Sequence, residues 1–373
     1  MRRTGARLLR GSALGAASLL VFAVGLELSL RTFGPFLPGW YRTGPAIERD
    51  EKVGWTHIAG ESTWYRRPWA TIRLDVNAQG RVGPLIEAAS AAGVRRVVLL
   101  GDSFAEGAYT PTAFTVAGLL SRPTSVLGRV EIVNEGVSGY GTDQDVLVFE
   151  ERDRAIHADA VVLLFTVAND VWNNDWLLEG RFPQGAKPHF DLDGAKLRLV
   201  PLSGPPNLAD QIRQFVSRSY LVGTVKSGIV ERFTTDRSAP VLRELQLGVL
   251  EEPRGEWIRA WQITVALLER LRDDARALGV PLVVLVAPDA CQVHPADCGG
   301  HAELSGSDVP QTLLSAAAAT LNVPLVDPLP AFRAAAASER LYYVGDLHWN
   351  ERGQAIAVEA LLPALRAALD PKR

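Results

Sequence analysis

The sequence has little material for metal or redox chemistry: of its 373 residues, two are cysteine and six are histidine. That is too few for a zinc finger or an iron–sulfur cluster, so neither a metal nor a cofactor is expected. Excess charge of one sign is lacking as well, since 39 Lys plus Arg stand against 42 Asp plus Glu, a formal charge of −3. Without a basic footprint, no nucleic-acid partner is expected. Internal repeats and low-complexity tracts are missing, which excludes a solenoid or a fibrous chain. What is plentiful is apolar residue, 47% beside 22% charged, enough for a large core in one or two domains.

The apolar content is uneven. Arg2, Arg3, Arg7 and Arg10 precede a charge-free run from Gly11 to Leu26, which continues to Leu30 with only Glu27 intruding. This approaches the roughly 20 residues that cross a bilayer. Basic residues on its amino-terminal side should remain cytoplasmic and leave the rest of the chain outside. The expected organisation is a cytoplasmic tail at 1–10, a transmembrane anchor or uncleaved signal at 11–30, an irregular preface at 31–92 and the main domain at 93–370. A cleavable signal peptide is the competing reading, because Ala23-Val24-Gly25 offers small residues at a suitable spacing. An extracytoplasmic location also suits Cys291 and Cys298, which lie in one Pro-containing loop where a disulfide could close a small ring worth about 2 to 3 kcal/mol. Free thiols, or a metal held with His294 and His301, are the alternatives.

Beyond the preface, strand and helix signals alternate. Short β-branched runs at Arg95–Leu100, Val130–Val133, Ala160–Thr166, Pro281–Ala287 and Val323–Val326 have the look of buried parallel strands. Helical patterns fall between them, at Thr112–Leu120, Asp143–Arg154, Trp257–Ala277, Gln311–Leu321 and Glu351–Leu369. The expected fold is an α/β three-layer sandwich with a mostly parallel central sheet. Residues 173–255 break the alternation and read as an insertion, with a hairpin at Phe190–Val200 around Asp193-Gly194 and a helix at Gln211–Phe233.

Chemistry-bearing residues gather where those strands end, the edge at which open α/β sheets bind ligands. Gly101-Asp102-Ser103-Phe104 follows the first strand, and Ser103 is a nucleophile candidate or simply a helix cap. Asn134 to Gly141 follows the second and is rich in glycine. Val167-Ala168-Asn169-Asp170 follows the third, and Gly345-Asp346-Leu347-His348-Trp349-Asn350 precedes the last helix. An Asp two residues before a His lets a carboxylate orient an imidazole, as a Ser-dependent general base requires. Gly-x-Ser-x-Gly does not occur, so the nucleophile elbow of α/β-hydrolases is not the model.

Four such blocks in this order resemble the SGNH hydrolases, also called the GDSL esterase/lipase family, over roughly Arg95 to Leu369. The resemblance implies a flavodoxin-like sandwich, Ser103 as nucleophile, and an oxyanion hole made by the N–H groups of Ser103 and Gly139 and the side chain of Asn169. It implies His348 as general base with Asp346 behind it. Two departures stand out: Val167 replaces the Gly of the third block, and Asp-x-His replaces the usual Asp-x-x-His, which makes Asp327 a reserve for Asp346. Asp-x-His followed by Trp-Asn is similar to relatives that include envelope polysaccharide O-acetyl-transferring proteins, and the preface and insertion to membrane-anchored bacterial members. The expected activity is therefore ester hydrolysis or O-acyl transfer on a small ester or acylated carbohydrate or lipid, with the membrane met only through the N-terminal helix and no protein partner specified. A non-catalytic carbohydrate-binding or assembly module, using Trp172, Trp176 and Trp349 as sugar-stacking faces, is the competing class; an activated Ser would be of no use to it. Phosphate handling is weaker still, as neither Gly-x-x-x-x-Gly-Lys nor Gly-x-Gly-x-x-Gly follows a strand.

Overall fold

The computed structural model describes residues 2–33, 46–66, 69, 71–123, 127–154, 156–194, 196–202, 204, 208, 211–212, 218–225 and 239–370. Two antiparallel hairpins open the folded part: β1 (Ile47–Asp50) with β2 (Gly54–His57), and β3 (Ser62–Arg66) with β4 (Thr71–Asp75). The central sheet then takes β5 (Val94–Gly101), β6 (Arg129–Asn134) and β7 (Ala160–Thr166). A third hairpin, β8 (His189–Asp193) with β9 (Lys196–Val200), precedes the last two sheet strands, β10 (Leu282–Ala287) and β11 (Leu325–Val326).

All five sheet strands are parallel, in the order β11-β10-β7-β5-β6. Numbered by appearance that is 5-4-3-1-2, the flavodoxin-like winding, whose direction reverses beside β5. Alternate side chains serve opposite faces. Val98, Leu100, Val161, Leu163 and Phe165 pack one core with the helices Thr142–Val148, Glu256–Ala277 and Val309–Leu321. Val97, Leu99, Val162, Leu164, Val283 and Leu285 pack the other with Val116–Leu120, Leu329–Ala336 and Glu351–Leu369. Burial on both faces is why these strands read as unbroken apolar runs.

Three expected helices differ. Thr112–Leu120 divides into a 3-10 turn, Thr112–Phe114, and a helix, Val116–Leu120, because Thr115 accepts the Gly118 N–H at 3.0 Å and caps the second piece. Asp143–Arg154 is α-helical over Thr142–Val148 and widens to a π turn over Phe149–Asp153. Of the expected helix at Gln211–Phe233, residues 213–217 and 226–233 lie outside the described residues; Arg218 and Ser219 are not helical, and a new helix runs over Tyr220–Val225. Glu27 accounts for that start, taking the N–H groups of Tyr220 at 3.0 Å and Leu221 at 2.9 Å and the Ser219 hydroxyl at 2.9 Å.

Glu27 belongs to the first helix, Arg2–Phe33. Its segment Ser12–Phe33, with mean hydropathy 2.0, is long and apolar enough to cross a membrane, as a retained anchor or a signal sequence would be, and it is not buried within the fold. A disulfide joins Cys291 and Cys298 in the loop after β10.

Candidate active site

β5 ends at Gly101, and the chain turns at once into the short helix Ser103–Glu106. Asp102, not Ser103, caps it, accepting the Phe104 N–H at 2.8 Å. The serine is thus released from the capping role and sits at the first helical position, beside the reversal of the sheet. Its N–H donates to no acceptor among the described residues.

The last block reaches Ser103 from the opposite end of the chain. Asp346 accepts the His348 N–H at 2.9 Å, a tight Asx-type turn that brings the same oxygen to His348 Nδ1 at 2.5 Å. His348 Nε2 then lies 2.7 Å from Ser103 Oγ. The shorter Asp-x-His spacing therefore suffices, since one carboxylate oxygen serves both the backbone and the ring. Asp327 is placed elsewhere: its carboxylate accepts the Leu329 N–H at 3.0 Å. The imidazole lies between Tyr109 and Phe104, with ring centroids 4.1 and 4.9 Å away. Asn350 caps the helix that follows, taking the N–H groups of Arg352 and Gly353 at 3.0 Å each, and so fixes where the loop ends.

The glycine-rich block is held against the nucleophile helix. Asn134 Nδ2 donates to the Ala105 carbonyl at 2.9 Å, and a side chain at Gly136 would put Cβ 2.3 Å from the Glu106 nitrogen. Gly139 takes φ +83°, and its N–H likewise donates to no acceptor among the described residues. The carbonyls on either side are taken: the Trp55 indole N–H donates to the Ser138 carbonyl at 3.1 Å, and Asn173 Nδ2 to the Gly139 carbonyl at 3.1 Å. A trans peptide directs C=O and N–H oppositely, so the hold on Ser138 C=O aims the Gly139 N–H. Asn169 Nδ2 donates to the Tyr140 carbonyl at 3.2 Å, and the same side chain interacts with the buried Asp102 carboxyl, so the amide is held beside Ser103.

Under this rim lie carboxyl groups with no contact to water. Asp102, Asp145 and Asp170 are buried, and burial pushes the acid of Asp102 up to about 6, against its bond from Phe104 N–H and the nearby His348. Asp145 and Asp170 are raised well above the usual carboxylate range, first by burial and then by the charge of Asp102. Asp145 and Asp170 accept the N–H groups of Gly101 at 2.8 Å and Thr166 at 3.1 Å, so they fix the ends of β5 and β7. Asp143 is paired with buried Lys187, whose Nζ also donates to the Asn173 carbonyl at 2.8 Å.

Ser103, Gly139, Asn169, Asp346 and His348 thus come from four separate loops to one edge of the sheet. The tryptophans part company: Trp172 and Trp349 are fully buried and pack the core, which removes them as sugar-stacking surfaces, while Trp176 is exposed. His294 accepts the Leu341 N–H at 3.2 Å, and no metal-holding cluster occurs among the described residues. Trp55, His57 and Glu106 carry no motif that the sequence could signal. His57 Nε2 is 2.6 Å from Glu106 Oε1, both wholly buried, and the Ser138 hydroxyl donates to the other Glu106 oxygen, so the first hairpin is built into the glycine-rich loop.

A cleft of about 480 Å³ runs along the His348 side, lined by Asp346, His348 and residues of the helix Ala239–Gly248 and the disulfide loop. A wider cavity of about 1130 Å³ opens at the opposite edge of the sheet, by Arg95, Asp159 and Leu282, away from Ser103.

The sequence model described as the GDSL-like Lipase/Acylhydrolase family matches residues 99–356. No curated protein matches the chain in sequence. Solved structures with a similar fold include LAE5, an alpha/beta hydrolase enzyme from the metagenome of Lake Arreo, Spain, at 16% identity, covering 75% of this chain and 98% of that one, with TM-score 0.41. A lipase/acylhydrolase from Enterococcus faecalis shows 14% identity over 75% and 99% of the two chains, with TM-score 0.40. A variant of Axe2, an acetyl-xylooligosaccharide esterase from Geobacillus stearothermophilus, shows 16% identity over 75% and 96%, with TM-score 0.42.

Proposed function

Because the chain belongs to the GDSL-like lipase/acylhydrolase family, we propose that it is a serine esterase in which Ser103, His348 and Asp346 form the catalytic triad. The observation that carries this reading is the unbroken series of Ser103 Oγ to His348 Nε2 at 2.7 Å and His348 Nδ1 to Asp346 at 2.5 Å. His348 takes the hydroxyl proton as Ser103 attacks the ester carbonyl, and Asp346 holds the ring tautomer and stabilises the imidazolium. The carbonyl oxygen, now negative, meets the N–H groups of Ser103 and Gly139 and the side-chain amide of Asn169. Collapse of the tetrahedral adduct expels the alcohol, protonated by His348. The acyl-enzyme passes to water, or to an acceptor alcohol seated where the first one left.

The apolar helix and the disulfide favour a membrane-anchored enzyme whose catalytic domain faces an oxidising compartment outside the cytoplasm. Treatment of the detergent-solubilised chain with a fluorophosphonate tests the central claim. Mass spectrometry should find the label on Ser103, and Ser103→Ala and His348→Ala should each lower p-nitrophenyl acetate hydrolysis by orders of magnitude. A folded chain that is neither labelled at Ser103 nor faster than its Ser103→Ala variant would refute the esterase reading and favour the binding module.

A further inference from the structure

The helix Ala239–Gly248 presents Arg243 and Gln246, one turn apart on one face, to the cleft that holds His348. Gln246 is only 6% exposed, yet its amide makes no hydrogen bond among the described residues. Arg243, half-buried, forms no ion pair or hydrogen bond among them either. Its guanidinium lies against Gly299, where an added Cβ would stand 3.0 Å from Nε, so the backbone there leaves room for the arginine and nothing more. The carboxylates nearby are engaged: Asp297 with Arg340 at 2.7 Å, and Asp346 with His348. Buried Asp289 interacts with Arg243 only at a distance beyond an ion pair, and burial keeps its acid raised to about 6. Among the described residues, then, an amide and a guanidinium face one cleft with their hydrogen-bonding capacity uncommitted, and both are open to a ligand seated there.

The side of the cleft decides which part of a substrate meets them. His348 hands its proton to the departing alcohol, so the alcohol portion of the ester lies on the His348 side of Ser103. We propose that this cleft binds an alcohol bearing a fixed negative charge, a carboxylate or phosphate gripped by the Arg243 guanidinium with the Gln246 amide beside it. The substrate class is then acyl esters of acidic alcohols, such as acidic sugars or phosphorylated polyols. A planar guanidinium suits either anion, since both accept two parallel N–H bonds. The inference rests on the esterase reading of the same site.

Two arms separate the anion sources: mono-acetylated methyl glucuronide against methyl glucoside, and acetylglycerol phosphate against acetylglycerol, each given to the solubilised full chain. In at least one arm the charged ester should be preferred at least tenfold in kcat/KM, mostly through KM. Arg243→Gln should lower kcat/KM for the charged ester at least tenfold more than for its neutral partner, and Gln246→Leu should do so to a smaller degree. Calorimetric titration of the Ser103→Ala chain with methyl glucuronide, methyl glucoside, glycerol phosphate and glycerol runs alongside. Anion binding that is absent for the neutral compounds and weakened by Arg243→Gln supports the site even if no ester is turned over, so failure of the esterase reading is told apart from failure of this one. Equal treatment of charged and neutral partners in both arms, or equal losses for both in Arg243→Gln, overturns the proposal.

Discussion

Trp55→Phe tests whether the first hairpin takes part in the chemistry. The change keeps an aromatic ring in a site that is 5% exposed, and keeps the backbone carbonyl to which the Tyr140 hydroxyl donates at 2.6 Å. It deletes the indole N–H that holds the Ser138 carbonyl at 3.1 Å and thereby aims the Gly139 N–H. A part-buried carbonyl left without its donor has about 1 to 3 kcal/mol of drive to turn the peptide elsewhere. The donating orientation should therefore lose roughly 1 to 3 kcal/mol, about 5- to 150-fold in kcat. The ceiling is the 10²- to 10³-fold typical of losing an oxyanion donor outright. Initial rates on p-nitrophenyl acetate would show the loss in kcat with little change in KM, because the hole is filled by the oxyanion and not by the resting carbonyl. The effect should persist in an Asn169→Ala background, where the Gly139 N–H matters more. A folded Trp55→Phe protein with kcat within about twofold of the parent would refute the argument from the peptide's orientation.

Asn169→Ala alone should lower kcat about 10²-fold, less than Ser103→Ala, since the two backbone N–H groups remain; unchanged esterase rates would remove Asn169 from the hole. Lys187→Met leaves Asp143 buried without its partner, and urea unfolding should show a loss of about 3 to 5 kcal/mol, part of which Asp143→Leu restores when the two are combined. Asp289, raised to about 6 by burial, binds its proton more tightly folded than unfolded. Its contribution to stability is present below about pH 4 and lost as pH climbs through about 6. Asp289→Asn should therefore gain on the parent by on the order of 3 kcal/mol between about pH 4 and pH 7, and a difference that does not vary with pH would contradict this.

The parallel sheet was legible because each strand is encoded locally. Ala160–Thr166 is apolar at every position but the last and buried throughout, and only a strand covered on both faces buries such a run. Blocks at the ends of three strands and before the last helix drew attention to Ser103, Asn169 and the Asp346 and His348 pair, while Gly139 and the oxyanion-hole roles came only with the resemblance to the SGNH hydrolases. Helix ends were less legible. Thr115 could extend a helix or cap one, and its hydroxyl settles that only once Val116 packs into the core.

The sequence by itself determined the elements, their alternation and the short motifs, all of which are properties of neighbouring residues. Tertiary structure alone decided what lies far apart in the chain and close in space. Nothing around Trp55 or His57 announces a contact with Ser138 or Glu106, because a single hydrogen bond across 83 or 49 residues leaves no periodicity to read. Trp172 and Trp349 could equally have been surface platforms, and only the closed packing of both cores made them interior. Arg243 and Gln246 have the composition of any solvated helix face; it is the loop tied by Cys291 and Cys298, folded against them beside His348, that turns the face into the wall of a cleft.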